Sequence, residues 1–578
     1  MMIRPKGLLL VSFCFLTSMC VCQERPVVWF DGMARSIFAR DAIGEESAAD
    51  SVSDQSASAG YNLLDLNVHV NPTPDMEVMA QLRVRNELGG FFGTGTTVDV
   101  RQLTLRGTIN NKIRYQVGDM FLRQTRFTLF NASSDAEALG AGFEPYRDII
   151  DYENFYTDNR WRLQGLQADF SMQFARFVRS LAFDAFITRP RGSILTSSGT
   201  YLSDRFLGGA SAVANISKKW QVGFYHVNLF EVPASGTLDV AVRNPVYCAM
   251  LQRQSSGERW SHETTVHAGL SNRTWVFAHE DLNNLTIDGG FWELDTRHTA
   301  ADSLWSWNIG YRHVDPEFRS SAAQTRRMDW SMPLQTSVFP AYTNEQIARP
   351  VSAFDLLADP LLYNQALAPR LMQFNPFLSN VSPYGDATPN RTGVFGSVEW
   401  GGQRKAVNAA LDLAVLSEVL GQGTENRRSF GLAECRLRWA AQRSLKLDQK
   451  LDVMLHSKAE LTQRNGNEYE ALDLRSFQSS IEVEAGLTSA LSVHVTASHW
   501  AASGGEFRAI RDVYGTLFNF ESLHINRSDR IFATGLTYQW NRHTYASIQH
   551  QWWGANDRDE ALPDFDYQRL LFILTIDL

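Results

Sequence analysis

From Tyr61 to the last residue, side chains change character at every second position, and this constrains the fold more than any other feature. Leu64, Leu66, Val68 and Val70 alternate with Asp65, Asn67 and His69, and Met76, Val78, Ala80, Leu82 and Val84 alternate with Glu77, Gln81, Arg83 and Arg85. A period of two puts one set of side chains on each face of a β-strand. The rule returns at Ile113–Val117, Trp305–Tyr311, Cys435–Trp439, Ile481–Leu487 and Leu491–Ala497. No comparable stretch has the helical period, and no internal repeat of about 20–50 residues is present, which disfavours propellers and solenoids.

The alternating segments run to about ten residues, the length a tilted strand needs to cross a bilayer, where soluble strands average five or six. Connections alternate as well. Thr488–Ala490 and Asn541–His543 are tight turns, whereas Asn131–Asn159, Ala502–Asp529 and Gly554–Asp566 are long and polar. Mean hydropathy is −0.24 with 20% charged residues. Past the N-terminus no apolar run reaches the roughly 18 residues a membrane helix requires. A closed barrel survives that test, because its strands need apolar residues only at alternate positions. The net charge of −9 argues against nucleic-acid binding. Phe91, Phe92, Trp400, Trp439, Trp500, Trp540, Trp552 and Trp553 fall at strand ends, as interfacial girdles do, though core aromatics would read the same. The expected fold is all-β: a transmembrane antiparallel barrel over residues 61–578. Allowing about 25 residues per strand and connection outside one irregular block gives about 16–18 strands and a lumen wide enough for water.

Residues 1–22 read as a cleavable export signal. Arg4 and Lys6 precede a short apolar stretch, Gly7–Met19, and Cys20 and Cys22 are small enough to flank a cleavage site before Gln23. Met19 and Val21 ahead of the two cysteines disfavour lipidation. Residues 23–60 read as a lead-in ending in a flexible Ser/Ala-rich connection. Cys248 and Cys435 are then the cysteines of the mature chain, too few for a disulfide framework.

The final strand places Leu570, Phe572, Leu574, Ile576 and Leu578 on one face and Arg569, Thr575 and Asp577 on the other, with Leu571 and Ile573 as exceptions. In this the chain resembles Gram-negative outer-membrane β-barrel proteins of porin-like type, although Leu578 stands where that family usually ends in an aromatic residue. Arg114–Arg123 (RYQVGDMFLR) and Ser382–Gly393 (SPYGDATPNRTG) are similar to large barrels of Bacteroidota type. The resemblance implies the cell outer membrane, contact with its lipid, and recognition of Leu570 to Leu578 by the barrel-assembly machinery.

Residues 316–390 hold nine of the 18 prolines and cannot be a set of central strands. Long apolar loops in compact proteins are functional or disordered. This one is expected to fold into the lumen as a constriction or plug, with Arg319, Arg326, Arg327, Arg349 and Arg370 near the path; an external lid is the alternative. Arg83, Arg85, Arg114, Arg436, Arg438, Glu482 and Glu484 share faces with polar neighbours and are expected to line the lumen. There they either form opposed rings that screen solutes or a wall-stiffening ion-pair network.

Catalytic signals are poor. HExxH, GxGxxG, GxxxxGK[ST] and GxSxG are all missing, so no metal, cofactor or catalytic residue is expected. His279–Asp281 reads as a loop charge cluster, and Ser498, His499 and His524 are the only imaginable rim group. The expected function is a porin-like channel passing small hydrophilic solutes by diffusion. A scaffold or accessory subunit of a surface secretion or assembly complex is the alternative, and a rim enzyme is third.

Overall fold

The structure, a computed structural model, describes residues 27–43, 55–89, 95–131, 148–149, 152–153, 155, 158–175, 177–195, 199, 201–232, 240–277, 283–324, 381–402, 405–421, 424–511, 517–558 and 565–578. Its strands in chain order are β1 (Val28–Ile43), β2 (Gln55–Thr73), β3 (Met76–Glu87), β4 (Thr96–Ile109), β5 (Ile113–Leu122), β6 (Trp161–Gln173), β7 (Ser180–Arg191), β8 (Ile194–Leu195), β9 (Tyr201–Leu202), β10 (Asp204–Asn215), β11 (Trp220–Val232) and β12 (Val240–Ser256). There follow β13 (Trp260–Phe277), β14 (Leu285–Ala300), β15 (Trp305–Val314), β16 (Arg391–Trp400), β17 (Val407–Ser417), β18 (Ser429–Ala440), β19 (Leu451–Arg464), β20 (Leu472–Gly486), β21 (Leu491–Arg511), β22 (Leu517–Asn541), β23 (Thr544–Asp557) and β24 (Phe565–Asp577). A short helix, α1 (Ala441–Leu445), sits in the β18–β19 turn. β8 and β9 form a separate hairpin, and the other 22 strands make one antiparallel meander. The meander closes on itself: β1 pairs with β2 on one side and with β24 on the other, from Met33/Asp577 to Ile43/Tyr567. Closure leaves neither terminal strand as a free edge, the condition for a sheet to span hydrocarbon.

The barrel has 22 strands rather than 16–18, and it begins at Val28, inside the expected lead-in. β1 escaped notice because its faces are mixed. Met33 and Ile37 point inward and are buried, while Ser36 and Arg40 share the outer face with Phe38. The Ser/Ala-rich Gln55–Gly60 is extended because it pairs with β1. The supposed loop Ala502–Asp529 is mostly strand, since β21 runs to Arg511 and β22 starts at Leu517. The tight turns between β2 and β3, β4 and β5, β20 and β21, and β22 and β23 lie at one end of the barrel, and the longest connections, those leaving β5 and β15, lie at the other. The signal segment and its cysteines lie outside the described residues; Cys248 and Cys435 are unbridged.

Burial is inverted relative to a soluble protein. Leu570, Phe572, Leu413, Val415 and Ile481 are exposed on the outer face, whereas Arg569, Thr575, Asp452, Gln551 and Glu482 are buried on the inner one. Leu571 and Ile573, the exceptions in the last strand, pack inside against Ile37 and Ile149. Trp220, Trp305, Trp400, Trp439 and Trp540 are exposed around the short-turn end, as a membrane-interface girdle requires. Trp500 and Trp553 belong to the inner face instead, and Phe91 and Phe92 lie outside the described residues.

The outer face gives a direct test. Ile309, 55% exposed at the centre of β15, should tolerate arginine badly, losing about 2–4 kcal/mol for a cation at the bilayer midplane. Ser306→Arg, three residues away on the inner face beside Glu399, should lose little. Unfolding in vesicles by urea titration compares them, and equal losses would contradict the assignment of faces.

Candidate functional site

Two loop segments line the inner wall. The chain leaving β5 turns inward through Arg123–Asn131, and the chain leaving β15 lies beside it as Pro316–Gln324. Ser320 Oγ donates to the Thr128 carbonyl (3.3 Å), Phe130 N–H to the Ala322 carbonyl (2.9 Å) and Trp161 Nε1 to the same carbonyl (2.8 Å). The strands hold the layer from beneath. Arg319 N–H donates to Ser271 Oγ on β13 (2.9 Å), and Asn244 on β12 donates to the Arg319 carbonyl (3.1 Å). Phe318 packs against Phe291 of β14 and Phe127 in a buried apolar cluster. Gly289 makes this approach possible: a Cβ there would lie 2.2 Å from the Phe318 nitrogen. A second cluster, Met120, Leu122, Leu129, Trp161, Leu163 and Ala322, seats the other edge.

An ion-pair clamp fixes the first segment, and with it the chain entering β16, to the wall. Arg126, from the first loop, contacts Glu293 (2.8 Å) and Asp295 (3.4 Å) of β14 and Asp386 (3.2 Å) from the chain entering β16. Arg312 of β15 contacts Glu293 (2.6 Å) and Asp386 (2.8 Å). Glu293 is fully buried. Desolvation works against the Asp386 charge, but the Arg312 and Arg126 guanidiniums outweigh it and hold the carboxyl down to about 2. A depressed carboxyl contributes stability that is complete above its free value near 3.8 and is lost as pH falls through the folded value. The Asp386 links to Arg126 and Arg312 should therefore hold unchanged from neutral pH to about 4 and release only as pH approaches 2. Limited proteolysis of Arg123–Asn131 with pepsin between about pH 5 and about pH 2 reads it; release near pH 5 would contradict the assignment.

A second cluster lies along β1–β6. Arg83 makes two hydrogen bonds to Asp65 (2.7 and 2.8 Å) and pairs with Glu153, while Tyr152 O–H and Arg101 also reach Asp65. At the closure, Arg569 donates twice to Asp41 (2.6 and 3.1 Å), which also accepts from Tyr567 O–H (2.8 Å).

The structure puts all seven expected lumen residues on the inner face, but it does not bring them together as opposed rings. Most find partners nearby in the wall: Arg85 with Glu87 (2.6 Å), Arg114 with Asp169 (2.5 Å), Arg436 with Asp412 (2.6 Å), Arg438 with Asp452 (2.7 Å), Glu484 with Lys450 (2.5 Å), and Arg83 as above. Glu482 is buried on the same face. The described ends of 316–390 fold inward, and Arg319 spends its guanidinium on the carbonyls of Pro316 and Phe318 (both 2.8 Å). Arg326, Arg327, Arg349 and Arg370 lie outside the described residues, as does His279–Asp281. Ser498 and His499 face opposite sides of β21, so they do not form a rim pair. Among the described residues no group of three or more His, Cys, Asp or Glu is placed to hold a metal ion.

The clamp was missed by sequence reasoning. Glu293, Asp295 and Arg312 lie in the polar phase of their strands, which was a usable signal. Arg126 and Asp386 lie in loops 260 positions apart, and nothing local links them.

No family model matches the chain, and no curated protein matches it in sequence. Solved structures do. The ferric citrate transporter FecA in its unliganded form is similar at 9% identity and a TM-score of 0.50, over 95% of this chain and 78% of that one. The outer membrane protein opdK from Pseudomonas aeruginosa is 10% identical (TM-score 0.32; 95% and 99% covered), and the P pilus usher PapC translocation pore 8% (TM-score 0.37; 94% and 99%). The fold is that of a transmembrane β-barrel. More particularly, it is similar to the barrel of the ferric citrate transporter FecA.

Proposed function

We propose that this protein is an outer-membrane channel through which small hydrophilic solutes diffuse along a polar lumen narrowed by infolded loop segments. One observation carries the reading: Arg123–Asn131 and the chain entering β16 lie on the inner wall, fastened there by the Arg126/Arg312–Glu293/Asp295/Asp386 clamp, with Pro316–Gln324 hydrogen-bonded beside them. A ring of 22 strands encloses a lumen too wide to select by its own diameter, so selection falls to what is folded inside it. Locally neutralised wall charges favour the wall-stiffening role for Arg83, Arg85, Arg114, Arg436, Arg438, Glu482 and Glu484. Solute discrimination then belongs to the loop layer, with Arg319, Arg326, Arg327, Arg349 and Arg370 as the cationic side chains of its central segment. Lipid contacts the outer face, and the assembly machinery reads Leu570 to Leu578.

Purified protein in planar bilayers should give discrete conductance steps, and vesicles carrying it should swell in small sugars. A folded, membrane-inserted barrel that does neither would end the channel reading.

A further inference from the structure

The barrel wall is split between β4 and β5. Their ladder runs from Ile109/Ile113 only to Thr104/Gly118. Beyond it, Thr96–Leu103 is paired with β3, while Asp119–Leu122 follows β6. Gly118 is the pivot, at φ +96, with Leu103 O only 2.2 Å from where a Cβ would sit. From there Met120 and Leu122 turn into the inner apolar cluster with Trp161 and Leu163, away from β4.

The split begins inside the membrane. The paired stretch Thr104–Ile109 spans about 20 Å along a tilted strand, at about 3.4 Å per residue, and an apolar band is about 25 Å tall. Beside the split, Val98, Val100 and Leu103 remain on the outer face, 70%, 61% and 52% exposed.

Bare backbone groups are strongly disfavoured in hydrocarbon, so side chains close the gap. Asp119 accepts the Leu103 N–H (2.8 Å), and Arg162 donates to the Arg101 carbonyl (2.9 Å) while pairing with Asp119 (2.6 Å). From within, the Phe155 ring lies under the guanidiniums of Arg101 and Arg162, 4.1 and 4.0 Å from its centre. Glu153 reaches Arg83, and Arg35 stands over Tyr152. The loop thus offers a carboxylate and, two residues on, an apolar group to a row of arginines at a slit facing lipid. With Glu153 set aside, Arg35, Arg83, Arg101 and Arg162 keep Asp65 and Asp119 as paired carboxylates among the described residues, with Asp99 across from Arg83 in the β3–β4 ladder. That is an anion site with an apolar approach, occupied by a resident surrogate.

We propose that the β4–β5 slit is a lateral portal between membrane and lumen for a long-chain carboxylate. The head group displaces Glu153 from the arginines, the chain displaces Phe155, and the Asp119–Arg162 pair is the latch. This inference is independent of the hydrophilic-solute reading.

The full chain in phospholipid vesicles is photolabelled with diazirine palmitate and with its methyl ester, and the labelled residues are mapped by mass spectrometry. The acid should concentrate on Val98–Leu103 and Phe121, and the ester should stay at the level of the remaining outer face. Phe155→Ala should raise labelling by the acid several-fold. Arg83→Gln with Arg101→Gln should lower it about tenfold, the loss expected for a charge-assisted hydrogen bond. Heat-modifiable gel mobility confirms that each variant remains a closed barrel. Should the double variant fail to fold, Phe155→Ala decides alone. Equal labelling by acid and ester, labelling spread evenly around the barrel, or a folded Phe155→Ala protein that labels like the parent would each overturn the portal.

Discussion

Replacing Arg312 with alanine should unfasten the loop layer. Arg312 is 5% exposed and is shared by Glu293, which is fully buried, and Asp386. Its removal leaves both carboxylates to Arg126. Breaking a buried pair by deleting one partner costs about 3–5 kcal/mol, because the surviving charge keeps its desolvation penalty without its partner. The barrel ladder between β14 and β15 is main-chain and does not depend on Arg312, so the loss should fall on the layer rather than on the wall. The expected result is a protein that still migrates as a folded barrel, cleaves readily within Arg123–Asn131 and around Asp386, and conducts several-fold more current per channel. Arg312→Ala with Glu293→Gln should recover part of the loss, since no uncompensated carboxylate then remains at position 293. Parental conductance and protease resistance in Arg312→Ala would remove the clamp from the account.

Replacing Arg569 with alanine should weaken the barrel itself. Arg569 is 2% exposed, and its two hydrogen bonds to Asp41 join β24 to β1, the strand pair that closes the ring. Asp41 would keep the Tyr567 hydroxyl but lose its counter-charge. The cost is again about 3–5 kcal/mol, here at the seam that closes the ring. The temperature at which the compact gel band converts to the unfolded one should fall markedly. Asp41→Asn should do less harm, because it keeps an acceptor and leaves the cation as the unpaired group. If both variants convert at the parental temperature, main-chain pairing alone holds the closure.

Much of this was legible in the residues. The outer face of β24 was readable as Leu570, Phe572, Leu574 and Ile576, because exposure to hydrocarbon acts on each side chain separately. The tight turns at Thr488–Ala490 and Asn541–His543 were readable for the same local reason. Strand count was not. β1 carries Met33 and Ile37 toward the interior and Ser36 and Arg40 outward, so its alternation is blurred. Its identity as a strand comes from pairing with β2 and with β24 at the far end of the chain. Inward-facing charge was readable too, at Arg83, Arg436, Arg438 and Glu484, but its pairing with near neighbours was not. Which carboxylate meets which guanidinium depends on register, and register is a property of two strands together.

The sequence by itself determined that this chain is an antiparallel ring of strands with a greasy outside and a polar inside, because alternate burial is imposed residue by residue. Only the tertiary structure decided that the ring holds 22 strands, that loop stems lie within it, and that its wall parts at Gly118. Those features rest on partners far apart in the chain, such as Arg126 with Asp386 and Arg569 with Asp41, whose encounter no local pattern records.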